Sequence, residues 1–158
     1  MKRFTEEEII EEIQLFKHKL DGQVKFHEVD SFRVVHNIQY FYFCEWARTK
    51  YLEDCGMIFD KDTFTRHTPL MTVNHEMNYF NPLMLSEKYI TYSRCSHVGK
   101  SSIILDNIIL NTQGQPIIRL SSTLVNVDTK TNRPAPIPDE LRTNILNYEG
   151  DNLQLGSM

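Results

Sequence analysis

Apolar residues break the polar N-terminal run at Ile9, Ile10, Ile13, Leu15, Phe16 and Leu20, and this spacing predicts a first helix with one apolar stripe. Thr5 followed by Glu8 is a capping-box pair, whose side chains satisfy N–H groups at a helix start. The "DGQ" at 21–23 stops the helix, and Val24, Phe26 and Val29 suggest a first strand ending near Asp30. From Ile38 to about Cys55 the pattern is again helical, with Asn37 as N-cap and Gly56 as the C-terminal stop. Phe41, Tyr42, Phe43, Cys44, Trp46, Ala47, Tyr51 and Leu52 cover nearly the whole circumference of this second helix. Such a helix is expected to be buried on most sides.

After Pro69 the pattern changes to β-rich runs: "LMTVNHEMNYF", "KYITYSRCSHVG", "SSIILDNIIL" and "PIIRLSSTLVNV". The connections "NPLMLSE", "GK" and "NTQGQ" are short, which implies antiparallel neighbours. "NRPAPIP" ends the last strand, and "DELRTNILNYEG" forms a short final helix. A long apolar helix needs cover, and one sheet curved around it supplies that cover. The expected class is therefore α+β, with a curved antiparallel sheet wrapped around one long central helix and an extra N-terminal helix.

A chain of 158 residues with 41% apolar residues can bury one core, so one domain is expected. Its core would run from 22 to 142, flanked by a helical extension (1–21) and a tail (143–158). The formal charge of -4 and pI near 5.8 argue against general nucleic-acid binding. An anionic ligand must then meet a local cluster of cations. Charges throughout the first twenty residues leave no secretory signal or membrane span, which points to a cytoplasmic protein. Cys44, Cys55 and Cys95 form no disulfide framework and read as reduced, buried thiols. His18, His27, His67, His75 and His97 make no metal-ligand spacing, so no metal is implied. There is no Gly-rich phosphate loop, no Gly-x-Ser-x-Gly elbow and no Cys/His pair at a catalytic spacing.

The run "FHEVDSFRVVHNIQYFYFCEWARTKYLEDCG" resembles the N-terminal signature of hotdog-fold acyl-CoA thioesterases of the 4-hydroxybenzoyl-CoA thioesterase type. The matching positions are Asp30 at a strand end, Val34 with Val35, a polar Asn37 seven positions after the Asp, Tyr40, and "EWART" at 45–49. "YFNPLMLSEKYITYSRCSHVGKSSIILDNIIL" and "LVNVDTKTNRPAPIP" resemble the family in order and spacing.

The resemblance implies a hotdog fold and hydrolysis of an acyl-CoA to free acid and CoA, with no cofactor beyond the coenzyme A of the substrate. It also implies a site at a subunit interface, hence a homodimer or a tetramer of dimers. Thioester hydrolysis needs a carboxylate that attacks the carbonyl or activates water, and donors for the developing oxyanion. Asp30 takes the first role and the backbone N–H of Asn37 the second, at the positive end of a helix dipole. Many relatives carry His or Tyr where this chain has Asn37, and long-chain acyl thioesterases of the same fold carry Asn there. His36, one position earlier, is a further candidate. Tyr40 would shape the acyl tunnel. Glu45 stands where another hotdog lineage keeps a catalytic helix carboxylate, although an ion pair with Arg48 explains it as well. Lys100, Ser101 and Ser102 lie in a hairpin that in relatives is near the nucleotide of CoA, with Arg94, Arg119 and Arg133 as further cations.

Other readings differ in function. Hydrolysis of acyl groups on acyl carrier protein would need a basic docking surface. A hotdog domain that binds acyl-CoA without cleaving it is a second alternative. Asp30 itself also fits a turn or helix-cap residue. The hotdog dehydratases carry a Gly-His-Phe-Pro type segment that is not found here.

Overall fold

The computed structural model describes residues 4–63 and 69–156; His67 lies outside them. Five long strands form one antiparallel sheet: β1 (His18–Gln23), β2 (Leu70–Tyr79), β3 (Lys88–Val98), β4 (Ser102–Asn111) and β5 (Pro116–Asp128). Their order is β1-β3-β4-β5-β2, so β1 and β2 are the two edges. The short β6 (Arg133–Pro134) pairs with β5, and β7 (Gln154–Leu155) runs parallel to the end of β3. Among the described residues three α-helices accompany the sheet: α1 (Glu6–Glu12), α2 (Asn37–Asp54) and α3 (Asp139–Glu149). No helix among the described residues is long and apolar enough to cross a membrane.

The sheet curls around α2, which closes its concave face. Near the start of α2, Tyr40, Phe43 and Cys44 pack with Leu83, Tyr89, Ile109 and Leu120. Near its end, Tyr51, Leu52 and Cys55 pack with Ile103, Leu105 and Leu124, and with Leu141 and Ile145 of α3. On the convex face Ile9 and Phe16 cover Ile108 and Leu110. There the Arg119 guanidinium grips Glu12 through two hydrogen bonds of 2.7 and 2.6 Å, which pins α1 to β5. The three cysteines are buried and free.

The expected capping box forms: Thr5 Oγ1 accepts from Glu8 N–H and the Glu8 carboxylate accepts from Thr5 N–H. Three expectations give way nearby. The first helix is shorter than its apolar spacing suggests, because His18–Gln23 forms edge strand β1, with a two-residue burial rhythm. In that strand Gly22 lies under the Tyr89 ring, where any Cβ would collide with it. The stretch read as the first strand is instead one 3-10 turn at Phe26–Glu28 followed by a single bridge from Val29 to Val35. Asn37 is the first residue of α2 rather than its cap, and His36 holds the cap position. Gly56 supplies the stop with φ of 93°, a conformation that costs a Cβ-bearing residue most.

α2 is also less enclosed than its composition implies. Ile38, Tyr42 and Trp46, spaced by four, are 52%, 58% and 57% exposed, so one apolar stripe of the helix faces away from the sheet. The segment expected as a tail packs instead, since Ile145 and Glu149 are almost completely buried. Glu149 accepts hydrogen bonds from Tyr51 Oη at 2.7 Å and Cys95 N–H at 2.9 Å, joining α3 to α2 and β3.

Candidate active site

Asp30 sits on a tight turn that feeds α2. Its N–H donates to the Val34 carbonyl, its carbonyl accepts from Arg33 N–H, and Oδ1 accepts from Phe32 N–H at 2.7 Å. Arg33 closes the turn at φ of 64°, in the left-handed region that costs an L-residue about 1–2 kcal/mol. The bridges Val29 to Val35 and Val34 to Met84 hold the turn at both ends. Asp30 is thus a turn residue by geometry, and a carboxylate with one oxygen bonded keeps acceptor capacity on the other.

The entry to α2 is fixed by backbone alone. Val35 N–H donates to the Leu83 carbonyl and His36 N–H to the Glu28 carbonyl, both at 2.9 Å. The His36 side chain makes no cap hydrogen bond, and its carbonyl accepts from Gln39 N–H at 2.8 Å. The N–H of Asn37 therefore belongs to an unfinished first turn, with the helix dipole behind it. In this ladder of backbone bonds Asp30 faces Val34 and Glu28 faces His36 at the helix entry; a carboxylate brought to an uncapped helix N-terminus can deliver a nucleophile or a base beside a donor for an oxyanion.

The other candidates fall into different places. The side chains of His36 and Asn37 are exposed. Tyr40 is 4% exposed and its hydroxyl accepts from Leu83 N–H at 3.1 Å, so it braces the core rather than lining an open tunnel. Burial pushes that phenol above its ordinary pKa. Glu45 is exposed and pairs with Arg48 at 3.4 Å. It lies eight residues beyond Asn37, about 12 Å along the helix. Arg94 is not placed for a phosphate: it is 5% exposed on the convex face, beside the Phe16 ring, and donates to the Asn152 carbonyl. Arg119 is committed to Glu12, and Arg133 is exposed on β6.

Lys100, Ser101 and Ser102 lie in the hairpin between β3 and β4, with Lys100 exposed and the serines half-buried. Arg142 braces this hairpin by donating to the Gly99 carbonyl at 2.7 Å. The Asp30 turn adjoins residues 83–85, just before β3 begins, and the hairpin follows its end. Eleven strand residues separate them, roughly 33 Å at about 3.3 Å per step. One chain does not bring the two groups together.

Sequence reasoning passed over Glu28, a carboxylate only 6% exposed that accepts from Lys25 N–H at 2.7 Å. Its three-residue spacing from Lys25 was the available hint. It also passed over His75 and Asn107, which face α2 from β2 and β4 beside Arg48. Their signal was a polar residue on the inward alternation of a strand.

A curled antiparallel sheet around one long helix is the fold of the hotdog thioesterases. The chain belongs to the thioesterase-like superfamily, which it matches over residues 24–145. It is 31% identical to the long-chain acyl-CoA thioesterase FadM of Escherichia coli, over 76% of this chain and 90% of that one. It is 27% identical to the chloroplastic acyl-acyl carrier protein thioesterase ATL3 of Arabidopsis thaliana, over 83% of this chain and 68% of the other. Among solved structures, the probable thioesterase YbaW of Escherichia coli superposes with a TM-score of 0.68 at 28% identity, covering 80% and 95% of the two chains. A Thermus thermophilus thioesterase solved with coenzyme A and Zn superposes with a TM-score of 0.74 at 23% identity, covering 85% and 96%.

Proposed function

We propose that the protein is an acyl-CoA thioesterase of the 4-hydroxybenzoyl-CoA thioesterase type, hydrolysing acyl-CoA to free acid and CoA. The observation that supports this reading is the Asp30 turn, a carboxylate turn whose ladder leads through Val34 and Val35 into an α2 N-terminus that no side chain caps. Asp30 attacks the thioester carbonyl or takes a proton from the attacking water, and the carbonyl oxygen becomes an oxyanion held by the Asn37 N–H. Collapse of that oxyanion breaks the C–S bond, and the thiolate leaves and takes up a proton; attack by water gives the free acid directly, whereas attack by Asp30 leaves an acyl–Asp30 anhydride that water hydrolyses to the free acid and the regenerated carboxylate. No cofactor enters this scheme, since coenzyme A arrives as part of the substrate.

Binding of the nucleotide end calls for a second copy. β2 is an open edge whose Met71, Val73 and Tyr79 are 54%, 62% and 53% exposed. An unpaired strand edge is a template for pairing, and a twofold axis there reverses the second sheet. The Lys100, Ser101 and Ser102 hairpin of one copy then comes to the same side as the Asp30 turn of the other. The resemblance to an acyl carrier protein thioesterase at 27% identity supports a second reading, in which the acyl group is delivered on that carrier.

Asp30→Asn tests the reading. The variant is expected to keep its fold by circular dichroism and lose at least about a hundredfold in thiol release. Unchanged release from acyl-CoA refutes the role of Asp30, and release from an acyl carrier protein thioester alone favours the second reading.

A further inference from the structure

The two apolar clusters under α2 are separated by a polar belt across the concave face of the sheet. Ser93 on β3, Asn107 on β4 and Ser122 on β5 are 2%, 2% and 1% exposed. Asn107 Nδ2 donates to Ser93 Oγ at 2.8 Å, and Ser122 Oγ lies 2.8 Å from Nδ1 of His75 on β2. From above, α2 contributes Arg48, whose side chain is 15% exposed and whose ion-pair partner among the described residues is the exposed Glu45, at 3.4 Å. A guanidinium has five N–H donors, so one long contact leaves most of them unanswered. Burial first, and then the charge of Arg48, lower the pKa of His75, so its ring is neutral near pH 7.

Phe41, Arg48, His75, Asn107 and Leu120 wall a chamber of about 80 Å³ between α2 and the sheet. At about 30 Å³ for a water-sized group, it holds two or three non-hydrogen atoms. A larger cavity of about 280 Å³, lined by apolar groups such as Leu52, Met57 and Leu124, shares Glu45 and Arg48 as its walls. Phe41 and Arg48 lie four and eleven residues past Asn37, about 6 and 16 Å along the helix axis. An acyl chain that runs along α2 from the Asn37 N–H passes the level of this chamber.

We infer that this chamber selects acyl groups bearing a hydroxyl or oxo oxygen along the chain, with Arg48, His75 and Asn107 as the specificity residues. The inference rests on the Asp30 reading for the position of the carbonyl. A plain hydrocarbon in the chamber would strip water from the guanidinium and the imidazole without replacing its hydrogen bonds. An oxygen substituent accepts from Arg48 and takes or gives a hydrogen bond at His75 Nε2. Sites built to hydrogen-bond a substrate group discriminate strongly against the analogue that lacks it.

The test uses pairs of acyl-CoA thioesters of equal chain length, one plain and one carrying a hydroxyl or oxo group at successive positions. The wild type is expected to favour an oxygenated member by about tenfold or more in kcat/KM. Arg48→Met and His75→Phe are each expected to bring that ratio close to one. A wild-type ratio near one at every position, or loss of rate on both members alike in the variants, overturns the inference. Binding of the matching non-hydrolysable thioether analogues, measured by calorimetry, separates this result from the hydrolytic reading. The same preference in Kd, lost in His75→Phe, is expected whether or not thioesters are cleaved, and equal Kd values overturn the chamber assignment. Absence of thiol release from every thioester would strike only the Asp30 reading.

Discussion

Tyr51→Phe removes one oxygen from the middle of the molecule and nothing else. Tyr51 is fully buried on α2, and its hydroxyl donates to Glu149 Oε1 at 2.7 Å. Glu149 is 1% exposed, its Oε1 also accepts from Cys95 N–H at 2.9 Å, and its Oε2 has no partner. The phenylalanine keeps the ring and its edge contacts with His18 and Tyr148, so no cavity opens. What remains is a buried carboxylate deprived of one of its two donors. Leaving a buried acceptor short of a partner costs about 1–3 kcal/mol, and that is the expected loss. For a chain of this size each kcal/mol corresponds to roughly 2–4 °C in Tm. Equilibrium unfolding in urea should show a lower midpoint with an unchanged m-value. Glu149→Gln combined with Tyr51→Phe should cost less than the sum of the two singles, because they share one interaction. A Tyr51→Phe variant within about 0.5 kcal/mol of wild type would refute the claim that this bond fastens α3 to the core.

Stability should fall as the pH drops below about 7. Burial lowers the pKa of His18, partly offset by Asp54, and burial then Arg48 lower that of His75, both from 6.5. The unfolded chain therefore binds more protons than the folded one once the pH falls through that value. Urea midpoints at about pH 7.5 and 5.5 check the sign, and His18→Asn should flatten part of the slope. Val73→Lys on the open β2 edge should yield a species sedimenting near the 18.6 kDa of a single chain, with reduced thiol release. A Val73→Lys protein that sediments like the wild type would argue against pairing along that edge.

The runs that became β2 to β5 were legible because they are rich in β-branched and aromatic residues and the turns between them are short; Ser102–Asn111 and its neighbours pair along almost their full length. Edge strand β1 was not, since "HKLDGQ" carries one apolar residue and its partner Tyr89 is far away in sequence. Leu20 happened to continue the helical spacing of Ile9 and Ile13, and tertiary pairing overrode it. Around the site, Asp30 stood out through its neighbours, whereas the exposure of Trp46 and the burial of Arg94 depend on which face of the sheet each residue meets. The separation between Asp30 and Lys100 follows from topology, which no local pattern encodes.

That separation has a genetic consequence. If each centre draws its carboxylate turn from one chain and its cation hairpin from the other, two different defective alleles need not be equally silent when expressed together. A chain carrying Asp30→Asn and a chain carrying Lys100→Glu, each inactive with its own kind, would form mixed pairs in which one centre collects both defects and the other neither. Such mixtures would recover thiol release that neither parent shows.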